Sequence, residues 1–333
     1  MTLLNGKVAV ITGAGTGLGR SYAQLLAREG AAIVVNDYAP EPAQAVVEEI
    51  RAAGGRALAA VADVGAAASG IAILEAALGE FGQVDILINN AGILRDRSLL
   101  KMEERDFDDV LRVHLKGTFC ITKPIFGHMK DRGVGGVIVN TTSTAGLRGK
   151  FGQINYGSAK AGIWGFSNSL AQEGLKYGIR VWTIAPAAAS QLTDGVVSEE
   201  YKKVFTADRV APVVLYMVSD LSGKQTGKTL LAGGGYISEI RMHMGPGFVP
   251  GEHFAVEDLV HAIEGATCSS RNGTSTTCMR TARRPKHLRP RHAHRLSRRA
   301  GSTRRGKALR VDRARHHAPC AGGGHGPRSP RSG

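Results

Sequence analysis

Three residues in the middle of the chain have the types and spacing of a proton-transfer site. Ser143 is followed thirteen residues later by Tyr156, and Lys160 comes four residues after the tyrosine. A Tyr and a Lys at i and i+4 lie on one face of a helix, one turn apart. A neighbouring ammonium favours the phenolate, so this spacing predicts a tyrosine that exchanges protons near neutral pH although its free pKa is about 10. The pattern alone is a weak signal, because Tyr and Lys are common on solvated helix faces.

A glycine-rich turn near the N-terminus has the context of a dinucleotide-binding site. The apolar run Val8–Ile11 leads into TGAGTGLG, where Gly13, Gly17 and Gly19 precede an apolar-periodic helix. Glycines permit a tight turn and close approach to a pyrophosphate, and the helix N-terminus offers free N–H groups. A second strand ends at Asp37, about 20 residues further on, where a carboxylate can bond the adenosine ribose and repel a 2′-phosphate. NAD is therefore favoured over NADP, although such a turn can also be a simple strand-to-helix connection.

In their order along the chain, these motifs resemble the short-chain dehydrogenase/reductase family over about residues 1–260. The resemblance rests on TGxxxGxG from Thr12 to Gly19, on Asp63-Val64 after a third strand and on NNAG from Asn89 to Gly92 after a fourth. The set of Ser143, Tyr156 and Lys160 completes it at the family's spacing.

The resemblance implies a role for each matched residue. Tyr156 is the expected general acid/base, Ser143 orients the substrate oxygen, and Lys160 binds the nicotinamide ribose and lowers the tyrosine pKa. Asp63 and Val64 are expected at the adenine. The implied cofactor-binding residues are Gly13, Thr16, Gly17, Leu18, Gly19, Asp37, Asp63, Val64, Asn90, Ala91, Gly92, Tyr156, Lys160 and Pro186.

Two positions depart from the family pattern. His114 in VHLKGTF stands where most members have an Asn whose main chain holds a water of a proton relay. Pro186 is followed by Ala187, where many members have Gly. The surrounding sequence resembles a subgroup with the same two features, the dehydrogenase unit of multifunctional enzyme type 2 and its bacterial relatives. We therefore keep His114 among the catalytic candidates.

The subgroup resemblance implies a (3R)-hydroxyacyl-CoA as the substrate, and Asp37 indicates NAD as the cofactor. The alternative within the family is a 3-oxoacyl carrier-protein reductase or another carbonyl or steroid reductase. Such a reductase would usually prefer NADPH, which Asp37 opposes. Relatives associate through two long helices and the last strand, so the resemblance also implies a homodimer or homotetramer.

Apolar strands alternate with helical patterns, which predicts an α/β fold. We expect a single Rossmann-type, doubly wound parallel sheet of about seven strands with helices on both faces. Residues 187–206 interrupt the alternation after a strand's carboxyl end, where ligands bind in such sheets. The predicted strands lie near 7–12, 32–37, 57–62, 84–88, 136–142, 179–184 and 228–232, and the helices near 17–29, 40–53, 68–80, 103–129, 153–177 and 207–220.

The basicity of the chain belongs to its C-terminal part. The net charge is +15, and residues 271–333 hold 16 Arg and 2 Lys against a single acid, Asp312. That segment has no Phe, Trp, Tyr or Ile, so it cannot bury enough apolar surface to offset its ordering entropy. We predict an NAD-binding dehydrogenase domain over 1–265 and a disordered basic tail over 266–333. The tail is interpreted as the product of a frameshift, as an unstructured linker, or as a basic arm that would make the chain a nucleic-acid-binding protein.

The sequence predicts no metal site, no membrane span and no specific nucleic-acid site. The His and Cys residues of the tail lack a spacing that closes a zinc site. No apolar run reaches about 18 residues, and no aromatic residue is interleaved among the tail cations for base stacking. Cys120 is the one cysteine of the enzymatic body, and the N-terminus lacks the pattern of a signal peptide, so we expect a cytoplasmic location.

Overall fold

The structure is a computed structural model in which residues 2–189, 197–244, 255–260 and 263 are described. Its contacts separate the chain into two units, Met1–Val249 and Pro250–Gly333. Of the second unit, the described residues are 255–260, of which 256–260 are helical, and 263. The predicted disordered tail lies outside the described residues, and the predicted domain bounds stay a prediction. No helix in the described part of the chain combines the length and hydropathy needed to span a bilayer.

An eight-stranded sheet forms the centre of the first unit, in the order β3-β2-β1-β4-β5-β6-β7-β8. Strands β1 to β7 run parallel to their neighbours, and β8 is antiparallel to β7. The strand order reverses between β1 and β4, whose carboxyl ends therefore form the crevice where doubly wound sheets bind ligands. The strands are β1 Val8–Thr12, β2 Ala32–Asp37, β3 Arg56–Val61, β4 Ile86–Asn89, β5 Gly136–Thr141, β6 Ile179–Pro186, β7 Lys228–Gly233 and β8 Tyr236–Ile240.

The central strands are apolar at nearly every position because both faces of the sheet are covered. All residues of β1 and β4 are buried. Successive side chains of β1 point to opposite faces, so Ile11 joins the core beneath α1, α2 and α9, and Val10 joins the core beneath α3, α5 and α7. The helices are α1 Gly17–Arg28, α2 Pro40–Ala52, α3 Ser69–Phe81, α4 Glu104–Leu111, α5 Gly117–Arg132, α6 Thr144–Arg148, α7 Ile154–Gly174, α8 Glu199–Val204 and α9 Ala211–Val218.

The predicted α/β fold with a doubly wound parallel sheet is confirmed for β1 to β7, and the structure adds the antiparallel strand β8. Gly234 and Gly235 connect β7 to β8 with φ values of 58° and 85°. Two central residues with positive φ make the tight turn that suits a two-residue hairpin, and a hairpin is antiparallel. The Gly-Gly pair between two apolar runs was the signal that could have predicted this eighth strand.

The single helix predicted near 103–129 is divided in the structure. The helix α4 ends at Leu111, the π-helix Arg112–Lys116 follows, and α5 begins at Gly117. A π-helical turn holds an extra residue, and such turns are frequent at functional sites. His114 lies at the middle of this one.

Candidate active site

The glycine-rich turn between β1 and α1 leaves a helix N-terminus open at the carboxyl edge of the sheet. Gly13 and Gly17 have φ values of 60° and 53°, in the region that favours glycine. Gly19 lies so close to the carbonyl oxygen of Gly13 that any side chain would collide with it. Within the described chain, no side chain caps α1 and its first turn contains no acid. The free N–H groups and the positive end of the helix dipole therefore suit a pyrophosphate.

Asp37 ends β2 beside this turn. Its Oδ2 accepts a hydrogen bond from the N–H of Gly15 at 2.9 Å, and its Oδ1 accepts one from the N–H of Ala39 at 3.2 Å. These two bonds hold the carboxylate against the glycine-rich turn.

Three other predicted cofactor residues lie at the same edge of the sheet. Thr16 is the N-cap residue of α1, and Leu18 in its first turn packs against the core. Pro186 is the last residue of β6 and pairs with Ala232 of β7.

The segment after β4 forms the floor of the crevice. The hydroxyl of Thr12 accepts hydrogen bonds from the N–H groups of Asn90 and Ala91 at 3.0 and 3.1 Å. Asn90 donates from Nδ2 to the carbonyl oxygens of Thr12 and Gly13 at 3.0 and 3.1 Å. The floor and the glycine-rich turn are therefore tied together where the strand order reverses. This anchoring role of Thr12 was not predicted, although Thr12 opens the glycine-rich motif.

Asp63 and Val64 follow β3, as the motif predicted. The Oδ2 of Asp63 accepts a hydrogen bond from Nη1 of Arg112 at 2.6 Å, and Oδ1 accepts one from the N–H of Gly65 at 2.9 Å. Burial opposes the charged form, but these two bonds outweigh burial and lower the pKa of Asp63 below its ordinary value. Val64 belongs to the core. The end of β3 is thus fastened to the π-helix.

The structure brings Ser143, Tyr156 and Lys160 together at the carboxyl end of β5. Ser143 is the N-cap residue of α6, and its Oγ accepts a hydrogen bond from the N–H of Ala145 at 3.1 Å. Tyr156 and Lys160 lie in the first two turns of α7. The Nζ of Lys160 is 5.5 Å from the centroid of the Tyr156 ring.

The Lys160 side chain is buried, with 2% of its surface exposed. Its Nζ donates a hydrogen bond to the carbonyl oxygen of Thr141 at 2.7 Å. Burial lowers the pKa of Lys160 to about 7, because desolvation disfavours the charged amine. An amine with such a pKa can take up and release a proton under physiological conditions.

The pKa of Tyr156 is raised, which is opposite to the sequence prediction. Burial is the largest cause, the Ser143 hydroxyl acts in the lowering direction, and the carboxylate of Asp96 raises the pKa further. Lys160, whose amine bonds to Thr141, is not among the causes of this shift, so its lowering effect on the tyrosine pKa stays a prediction. The protonated phenol is suited to donate a proton to a substrate oxygen.

The ring of His114 packs between Tyr156 and the floor of the crevice. The His114 and Tyr156 rings meet edge to face with centroids 5.3 Å apart. Nε2 of His114 lies 2.8 Å from the carbonyl oxygen and 3.1 Å from the amide nitrogen of Ile93. Burial and the nearby Lys160 charge lower the pKa of His114 to about 3, so the ring is neutral at physiological pH. Gly92 is required beneath the ring, because a Cβ there would collide with it.

The main-chain oxygen of His114 is the group that the predicted proton relay would use. It accepts a hydrogen bond from the Thr118 hydroxyl at 2.7 Å. The side chain of His114 contacts the floor at Ile93, whereas its main-chain oxygen contacts the Thr118 hydroxyl.

Two asparagines that the sequence analysis did not single out position the catalytic elements. Asn155 donates from Nδ2 to the main-chain oxygens of Arg95 and Asp106, both at 2.9 Å, and so joins the start of α7 to the segment after β4. Asn140 in β5 accepts from Asn89 at 2.8 Å and donates to Ser167 of α7 at 2.9 Å. A buried amide needs partners. An Asn inside an otherwise apolar strand was therefore an available signal.

A doubly wound sheet with an open helix N-terminus beside a Ser-Tyr-Lys set whose lysine is buried defines an oxidoreductase of the dinucleotide-binding class. The chain belongs to the short chain dehydrogenase family, whose family model matches residues 7–202.

The chain is similar to two curated multifunctional enzymes. It is 44% identical over 250 residues to peroxisomal multifunctional enzyme A of Dictyostelium discoideum, a match covering 72% of this chain and 56% of that protein. It is 42% identical over 254 residues to peroxisomal multifunctional enzyme type 2 of Drosophila melanogaster, covering 74% of this chain and 42% of that protein. The chain thus spans about half the length of these relatives.

A crystal structure of a short chain dehydrogenase from Mycobacterium avium matches with a TM-score of 0.73 and 35% sequence identity. That match covers 80% of this chain and 96% of the other. Together these similarities confirm the family that the motifs indicated and its closeness to multifunctional enzyme type 2.

Proposed function

We propose that the chain transfers a hydride between a (3R)-hydroxyacyl-CoA and NAD. The observation that carries this proposal is the meeting of Ser143, Tyr156 and Lys160 at the same sheet edge as the glycine-rich turn and Asp37. The substrate class rests on the resemblance to the dehydrogenase unit of multifunctional enzyme type 2, because one scaffold serves many alcohols.

The described residues fit a nicotinamide dinucleotide. The uncapped N-terminus of α1 would hold the pyrophosphate, and Lys160 would bind the nicotinamide ribose. The Asp37 carboxylate beside the turn can accept hydrogen bonds from ribose hydroxyls, whereas a 2′-phosphate would meet it as a like charge. These charges support NAD rather than NADP.

In the oxidation direction, Tyr156 acts as a phenolate that has given its own proton to Lys160; Ser143 and this phenolate bond the substrate hydroxyl, and the phenolate removes its proton. When bound, the nicotinamide supplies the acceptor for the hydride that leaves the same carbon, so the alcohol becomes a ketone. The proton passes from Tyr156 to Lys160 and leaves through a water near the His114 carbonyl. In the reduction direction, the phenol donates its proton to the carbonyl oxygen, a role that the raised pKa of Tyr156 favours.

The proposal is tested by following NADH formation from NAD with (R)- and (S)-3-hydroxyacyl-CoA. We expect turnover of the R enantiomer. The Tyr156→Phe variant should lose about 10²–10⁴-fold in turnover, the usual contribution of a general base. Its Kd for NADH should stay unchanged because the ring is kept. Turnover of the variant at the wild-type rate would refute the role of Tyr156, and S selectivity would refute the substrate.

A further inference from the structure

Two segments next to Tyr156 are hydrogen-bonded to each other. Residues 95–98 continue the floor of the crevice, and residues 148–155 lead from α6 into α7. The N–H of Arg97 donates to the carbonyl oxygen of Gly152 at 2.9 Å, and Nε2 of Gln153 donates to Oδ2 of Asp96 at 2.6 Å. The two segments therefore form one rim, which Asn155 joins to the helix of the catalytic tyrosine.

This rim carries an excess of positive charge. Its single carboxylate, Asp96, accepts a hydrogen bond from Gln153, and four cations against this one carboxylate leave a net charge of +3. Two of the guanidinium groups donate only to main-chain oxygens, those of Leu94 and Asp96. Among the described residues, none of the four cations makes an ion pair. The cationic rim consists of Arg95, Arg97, Arg148 and Lys150, all exposed.

We infer that the cationic rim binds the phosphates of coenzyme A, an inference that rests on the proposed function. The thioester end of the substrate reacts at Tyr156, and a flexible pantetheine arm carries a diphosphate and a 3′-phosphate away from it. Unpaired cations on the exposed side of the reaction centre complement these anions in position and in charge. Arginine suits them because its planar donors match phosphate oxygens.

The test compares a coenzyme A thioester with its N-acetylcysteamine counterpart, which has the same acyl group and no nucleotide. Two double variants, Arg95→Gln/Arg97→Gln and Arg148→Gln/Lys150→Gln, each remove two charges of the rim. The matched control is Lys7→Gln/Lys224→Gln, which removes two exposed charges that precede β1 and β7, at the opposite edge of the sheet. Binding of free coenzyme A to the NADH-saturated protein is measured in parallel by titration calorimetry.

We expect each rim variant to raise KM for the coenzyme A thioester and Kd for coenzyme A by about 3- to 30-fold, the sum of two exposed charge contacts. KM for the N-acetylcysteamine thioester should not change in the rim variants. The control variant should keep the wild-type KM and Kd for both ligands. The effect should shrink at high salt, because exposed charges are screened.

The outcomes separate this inference from the proposed function. Turnover of both thioesters with rim variants that behave like the control would overturn the inference and leave the proposed function standing. Turnover of neither thioester would reject the proposed function. The affinities for coenzyme A measured by calorimetry would still test whether the cationic rim binds it. A wild-type protein that does not bind coenzyme A, or rim variants that bind it as tightly as the control, would overturn the inference.

Discussion

At the scale of single residues, burial decides the charge of the groups around Tyr156. Lys160 and His114 are both buried, and burial lowers the pKa of both, to about 7 and about 3. Burial raises the pKa of the tyrosine. The site therefore holds a neutral imidazole, a protonated phenol and an amine that titrates near neutrality, a set that spacing alone did not predict.

We expect His114 to make stability depend on acidity. Its pKa is about 3 in the folded chain and ordinarily 6.5. Between these values the unfolded chain binds more protons, so stability is fully present above pH 6.5 and is lost as pH falls toward 3. At pH 5 the loss should be about 2 kcal/mol.

The His114→Asn variant should remove this loss, as measured by urea unfolding of both proteins at pH 5 and pH 8. Because the predicted relay uses the main-chain oxygen, the variant should keep turnover within about tenfold. An equal pH dependence in both proteins would mean that His114 is not buried as a neutral ring.

Asp37 should control the choice between the two nicotinamide dinucleotides. Asp37→Ala removes the carboxylate that would bond the ribose and repel a 2′-phosphate, so the preference for NAD over NADP should fall by about 10- to 100-fold, the effect of about 1–3 kcal/mol for a charged hydrogen bond. Asp37→Asn keeps a hydrogen-bond acceptor without the charge, so its preference for NAD over NADP should lie between those of the wild type and Asp37→Ala. The ratio of kcat/KM values for NAD and NADP measures the effect, and an unchanged ratio in both variants would remove Asp37 from the ribose.

At the scale of elements, short segments between strands and helices make the site. The turn after β1, the floor after β4 and the start of α7 are held by Thr12, Asn90 and Asn155. The π-helix between α4 and α5 places His114 over the floor. Each of these links joins parts of the chain that are distant in sequence.

A pair of glycine substitutions tests this dependence on close approach. Gly19→Ala places a methyl group against the Gly13 carbonyl and the Asn90 amide, so it should shift the turn, weaken NADH binding at least tenfold and lower the free energy of unfolding by about 1–3 kcal/mol.

The matched control is Gly79→Ala in α3, where an added Cβ meets no atom within 4 Å. It should stabilise the protein by about 0.5–1 kcal/mol, because alanine has a higher helix propensity than glycine at an exposed helical position. Fluorescence titration with NADH and urea unfolding measure both variants. Unchanged NADH binding in Gly19→Ala would mean that the turn does not contact the cofactor.

At the scale of the whole molecule, charge and association stay predictions. Residues 1–270 hold 25 basic and 27 acidic side chains, so the net charge of +15 is a property of the segment that follows. Family membership shows an enzyme fold. A homodimer or homotetramer and a cytoplasmic location remain predictions, and the two curated relatives are named as peroxisomal.

A chain ending at residue 265 should separate the enzyme from its basic segment. We expect its Kd for NADH to match that of the full chain, because the residues proposed to bind the cofactor lie before position 187. Weak binding of duplex DNA by the full chain at low salt should disappear in the shortened chain, since it depends on Lys and Arg. A gel-shift titration measures this, and DNA binding retained by the shortened chain would place the basic surface elsewhere.

The sequence by itself determined the alternation of strands and helices, the family and the residues that meet at the site. Those features follow from local periodicity and from motif spacing, which need no knowledge of distant contacts. The tertiary structure decided what depends on contacts between distant segments: the pKa direction of Tyr156, the bond from Lys160 to Thr141, the π-helix at His114 and the rim formed by residues 95–98 and 148–155. Burial and hydrogen-bond partners are set by neighbours in space, so spacing along the chain could name these residues but could not assign their charges.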